Sequence, residues 1–153
     1  MRDEKADGVA LRFGDYWPAA AAGRVSVLLT DWDHGRANRV RRNGKFQGTV
    51  ERGDGRPAGP ICKGAIARVE FLDVKLVPPE DYERTGGLWM DHHLFLSPRR
   101  TGQTMVPYQT AFDKLRRGWG SMYRVVLADV YVYQEWREWL ASKLETVRGQ
   151  ATL

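Results

Sequence analysis

Apolar and polar residues alternate along three long stretches of the chain, and each predicts a strand. "RVSVLLTDW" (24–32) is rich in β-formers and reads as a central strand. "ICKGAIARVEFLDVKLV" (61–77) is the longest such run. Its apolar parity slips near Phe71-Leu72, which predicts a bulge or bend there. "SMYRVVLADVYVY" (121–133) is the third, and "VALRF" (9–13) and "LWMDHHLFLS" (88–97) predict shorter strands. Helical spacing is clearest over 134–147, where Trp136, Trp139, Leu140, Leu144 and Val147 share one stripe. Short helices are predicted over 14–24, closed by Gly23, over 78–87, with prolines at its start and glycines at its stop, and over 107–120. The resulting order is β-α-β-β-β-α-β-α-β-α, with links too short for βαβ crossovers. That predicts an α+β fold, a small curved mixed sheet or β-barrel flanked by short helices, with a C-terminal amphipathic helix. Residues 9–148 read as one domain, with flexible ends at 1–8 and 149–153.

Charge changes the picture between the first and second long strands. The segment "RANRVRRNGK" (36–45) holds Arg36, Arg39, Arg41, Arg42 and Lys45 and no acidic residue. The Asn43-Gly44 pair is a turn signal, so this segment reads as a hairpin, followed by an exposed glycine-rich loop at 53–60. Strand alternation would set Arg39 and Arg41 on one face and Arg42 on the other, with Lys45 beside Arg42. The formal net charge of +5 and a pI near 9.6 accord with such a basic finger gripping phosphates. Trp32 and Phe46 flank it, as base stacking favours. Arg99 and Arg100 form a second basic cluster, with Lys114, Arg116 and Arg117 on the next helix. Solvated surface charge is the plain alternative for both.

Candidate chemistry centres on the three histidines. A catalytic metal needs about three protein ligands. On a strand Asp91 and His93 share a face, and His34, in "TDWDHGR", could supply the third. "MDHHLFLSPRRTGQTMVPYQTAFDKL" loosely resembles the ββα-metal (HNH-like) nucleases. That resemblance implies a divalent metal held by Asp91 or His92 and water activated by His93. The helix after it lacks the family's second histidine and carries Phe112, Lys114 and Leu115. The alternative is a polar strand with one histidine bonded to Asp91, no cofactor and no catalysis. The single cysteine, Cys62, excludes an intramolecular disulfide and reads as a small buried hydrophobe. "MRDEKADG" does not suit a signal peptide, and no apolar run is long enough to span a bilayer. The expectation is a cytoplasmic protein without a membrane partner.

The pieces "VALRFGDYWPAAAAGRVSVLL" and "GAIARVEFLDVKLVPPEDYERTGG", with the closing "YRVVLADVYVY", are similar to the ASCH/PUA-like superfamily in their order of elements. The resemblance covers roughly residues 9–87 and the last strand. It implies a PUA-like barrel, an RNA or modified-nucleotide ligand, and a cleft between the first helix and the sheet, lined by Trp17, Arg24, Trp32 and His34. The ASCH signature G-x-K-x-x-E-x-R keeps only its glycine here, where Gly23, Val25, Leu28 and Thr30 stand in its places. The chain is therefore expected to bind nucleic acid, RNA foremost, without catalysis. The competing expectations are the metal-dependent nuclease and a protein-interaction factor of phage or defence-system type, using some of its six tryptophans as anchors.

Overall fold

The computed structural model describes residues 8–98 and 106–151. Five strands form one mixed, curled sheet, a half-barrel, in the order β1-β3-β4-β5-β2. They are β1 (Val9–Arg12), β2 (Val27–Thr30), β3 (Lys45–Thr49), β4 (Cys62–Asp73) and β5 (Ser121–Val132). β1 runs parallel to β3, and every other pairing is antiparallel. The helices are α1 (Trp17–Ala21), α2 (His34–Asn43), α3 (Asp81–Arg84), α4 (Gly87–His92), α5 (Tyr108–Arg116) and α6 (Gln134–Ala151). No helix among the described residues is long and apolar enough to cross a membrane.

The α+β class and the mixed, curved sheet agree with the sequence. Several elements differ. β2 is an edge strand, bonded only to β5, and not a central one. The register of β4 against β5 shifts between Lys63 and Ala65 and again between Ile66 and Arg68, while Phe71 and Leu72 pair regularly with Tyr123 and Met122. The bend therefore lies earlier than the apolar parity placed it. Asp129 takes φ 51° at the first shift. Opposite it sits Gly64, where an added Cβ would lie 2.8 Å from the Ala128 carbonyl oxygen, so the strands can approach there only without a side chain. The C-terminal helix continues past 148, through Ala151.

The predicted arginine hairpin is the helix α2. Asp33 caps it, with its Oδ1 accepting the Arg36 backbone N–H at 2.8 Å. Ala37 and Val40, spaced three apart, turn inward and are buried. Gly44, at φ 76°, ends the helix. The Asn-Gly pair thus marks a helix stop, a role that shares its left-handed glycine with a hairpin turn. The predicted strand 88–97 is also helical, comprising α4 and a 3-10 turn at Leu94–Leu96. Its only fully buried apolar side chain is Met90, so there is no alternating face to build a strand upon.

The core lies between the inner face of the sheet and the helices. Trp17 of α1 packs edge-on against Trp136 of α6 at 5.8 Å and beside Trp139 at 5.4 Å. The Trp136 indole N–H donates to the Gly59 carbonyl at 3.1 Å and so pins the glycine-rich loop. The other face of the sheet carries a cluster of ion pairs centred on Arg124. Arg124 of β5 grips buried Asp81 of α3 through two bonds, at 2.6 and 2.9 Å, and reaches Glu70 of β4 at 2.9 Å. Those bonds, Asp81's first, raise the Arg124 pKa further.

Candidate nucleic-acid interface

The half-barrel leaves the edges of β1 and β2 unjoined, and α2 starts four residues after β2 ends. A cleft of about 800 Å³ opens there, lined by Arg12, Thr30, Trp32, Arg36 and Arg39 among others. The Arg36 guanidinium lies over the Trp32 ring, 5.0 Å from its centroid. Its Nη2 donates to the Ala10 carbonyl at 3.4 Å, while its Nε is buried and has no partner among the described residues. Arg12, at the other wall, lies 3.5 Å from Glu51 in a solvent-exposed pair. A smaller, more apolar pocket of about 350 Å³ shares Arg12, Gly14 and Thr30 with the cleft and is closed by Phe112 and Leu115 of α5.

Helical spacing divides the arginines that a hairpin would have gathered. Arg36 and Arg39, three apart, face the cleft. Arg41 lies on the other flank, where its guanidinium donates to Asn38 Oδ1 at 2.8 Å and to the Val69 carbonyl at 3.0 Å. Arg42 is exposed, on the side away from buried Ala37 and Val40. Lys45 is exposed at the start of β3. Arg99 and Arg100 lie outside the described residues.

The four residues expected to line one cleft are separated. Trp17 is a core residue, with Arg56 stacked on it at 4.7 Å. Arg24 lines a different depression of about 780 Å³, together with Glu80, Glu83, Arg84, Trp89 and His93. Trp32 alone lines the basic cleft. His34 opens α2 and turns to the sheet, where its Nδ1 bonds the Tyr123 hydroxyl and its ring meets Phe71 at 5.0 Å.

His34, Asp91 and His93 are not brought together as a metal site, and no group of three His, Cys, Asp or Glu among the described residues could hold an ion. Asp91 is a helix cap. Its oxygens accept the backbone N–H groups of Tyr108 and Gln109 and the Tyr82 hydroxyl. Burial, then the bond to Asp91, raise the Tyr82 pKa. His93 stacks on Trp89 at 4.0 Å, and its Nδ1–H donates to the Trp89 carbonyl at 2.8 Å. Cys62 is buried, and that burial pushes its thiol up to about 12, which suits packing and not nucleophilic attack.

Arg12, Phe71, Lys75, Tyr123 and Trp119 were not singled out by the sequence. Only Trp119 carried a signal, a tryptophan set between two glycines with no apolar neighbour to pack beside it. Comparison of the chain with family models, with curated proteins and with solved structures gives no match.

Proposed function

We propose that this protein is a PUA-like nucleic-acid-binding domain that takes single-stranded RNA, or a modified nucleotide within it, at the Trp32–Arg36 cleft. The observation that carries this is the Arg36 guanidinium stacked on Trp32 beside Arg12 and Arg39, in a cleft open to solvent. A base has an aromatic face to lie against, and phosphates have three cations within the same walls. The element order that resembles the ASCH/PUA-like superfamily supports the same ligand class. Arg42 and Lys45 add a long-range positive field that draws the polyanion in. A reducing, cytoplasmic setting accords with the lone buried thiol of Cys62.

Fluorescence anisotropy with a labelled oligouridine tests this. Binding at low salt should fall steeply as salt rises. Trp32→Ala combined with Arg39→Ala should remove most of it. No retention of RNA or DNA by the wild-type chain at low salt overturns the proposal. No hydrolytic step is assigned, because Asp91 and His93 are engaged in capping and stacking.

A further inference from the structure

Six tryptophans are present, and Trp119 differs from the other five: it is 90% exposed, whereas Trp17 and Trp136 are buried and Trp32, Trp89 and Trp139 are half-buried. It stands in a Gly118-Trp119-Gly120 turn, and Gly120 takes φ 103°. The Val74 N–H donates to the Gly120 carbonyl at 3.0 Å, which ties this turn to the 3-10 segment after β4. As a result the Lys75 ammonium sits 3.8 Å from the centroid of the Trp119 ring.

Sheet register places this turn at the same end of the sheet as the cleft. Thr30 pairs with Tyr123, and Asp73 pairs with Ser121. Trp32 therefore comes two residues after the end of β2, Lys75 two residues after the end of β4, and Trp119 two residues before the start of β5. Neighbouring strands lie about 4.8 Å apart, so these positions share one rim. Phe71, 55% exposed, lies near the same end of β4, where its ring meets His34 edge-on and Tyr123 at a tilt. The approach to Trp119, "KLRRGWG" (114–120), carries three cations and no acid. Of the carboxylates on the rim, Asp33 caps α2 and Asp73 caps the 3-10 turn, while Asp31 stands at the cleft.

We propose that Trp119, backed by Lys75, is a second stacking contact for the strand held at Trp32, so that the ligand is a single strand of several nucleotides and not a lone nucleotide. This rests on the nucleic-acid reading of the cleft. An aromatic face backed by a cation is the arrangement that accepts a base whatever its identity. Leu76, 70% exposed beside it, leaves a protein contact as the competing use of the same turn.

The experiment compares 5′-fluorescein oligouridines of about three and about twelve nucleotides on the full chain. The wild type should bind the longer strand more tightly. Trp119→Ala should weaken the longer strand about tenfold and leave the shorter one unchanged, while Trp119→Phe retains most of the gain. Circular dichroism of Trp119→Ala should match the wild type, since the side chain is 90% exposed. Equal affinities of Trp119→Ala and wild type for both lengths overturn this inference and leave the cleft standing. So does a loss of self-association on sedimentation with RNA binding intact, which would assign the turn to a protein contact. If the wild type binds neither strand, the cleft proposal fails and this one with it.

Discussion

The Asp91 carboxylate closes the start of α5: it accepts the Tyr108 backbone N–H at 2.6 Å and the Gln109 N–H at 2.9 Å, and takes the Tyr82 hydroxyl at 2.7 Å. One side chain thus joins α3, α4 and α5. Asp91→Ala leaves two helix N–H groups and a hydroxyl without an acceptor, and is expected to destabilise the fold by about 2 kcal/mol. Urea unfolding measures this. RNA affinity of the folded variant should be unchanged, because Asp91 lies outside the cleft. A loss of affinity with stability intact would instead restore Asp91 to the functional site.

Tyr82 gives the same contact a pH signature. Its folded pKa is raised by burial and by Asp91. The stabilisation is therefore complete below the unfolded value of about 10 and is lost as pH rises through the folded pKa. Wild-type stability should decline above pH about 10, and Tyr82→Phe should decline less over the same range. Thermal melts of the two proteins, compared pH by pH, isolate this residue from the other tyrosines.

In the cleft, removing one stacked base contact should cost about 1–3 kcal/mol of binding, which Trp32→Ala measures directly. Arg39→Ala should lower the slope of log affinity against log salt by about 0.7. Arg41→Ala should leave that slope nearly unchanged, because its guanidinium is bonded to Asn38 and the Val69 carbonyl on the far flank of α2. A triple Arg39, Arg41, Arg42 variant would blur this difference; the single variants resolve it.

The Arg124–Asp81 pair is buried on both sides, with side-chain exposures of 7% and 0%. Asp81→Ala leaves the buried guanidinium with only the half-exposed Glu70 as a carboxylate partner and should destabilise by about 3 kcal/mol. Asp81→Ala with Arg124→Met should destabilise by less, since no buried charge is left over. A double variant as unstable as the sum of its singles would show that the pair's geometry, and not the stranded charge, sets the cost.

The three long strands and the last helix are legible because alternation and the Trp136–Trp139–Leu140 stripe report burial directly, whereas 88–97 imitates a strand without being one. α2 is not legible, because in "HGRANRVRRN" only Ala37 and Val40 turn inward, and two small apolar residues leave almost no periodic signal. The Asn43-Gly44 pair then favoured the wrong turn, since a left-handed glycine ends helices as readily as it turns hairpins. The basic character of 36–45 was visible in the sequence, but which arginines share a site depends on whether the period is 2 or 3.6. Arg12 reaches the cleft through the curl of the sheet, which leaves no local mark, whereas Trp119 is marked only by its two flanking glycines. Cys62 was read correctly because a lone cysteine opening an apolar strand has few other roles.

β2 has one neighbour in the sheet, and it arrives late. Leu28 pairs with Val125, roughly a hundred residues further along the chain. During synthesis the first half of the protein therefore carries an apolar strand with no ladder to join, while β4 waits for the same partner. Closing both pairings must await emergence of residues 121–132 from the ribosome, and the large sequence separation slows the search. A nascent chain halted before Ser121 should hold exposed strand edges, whereas a chain whose residues 121–132 have emerged can close the whole sheet.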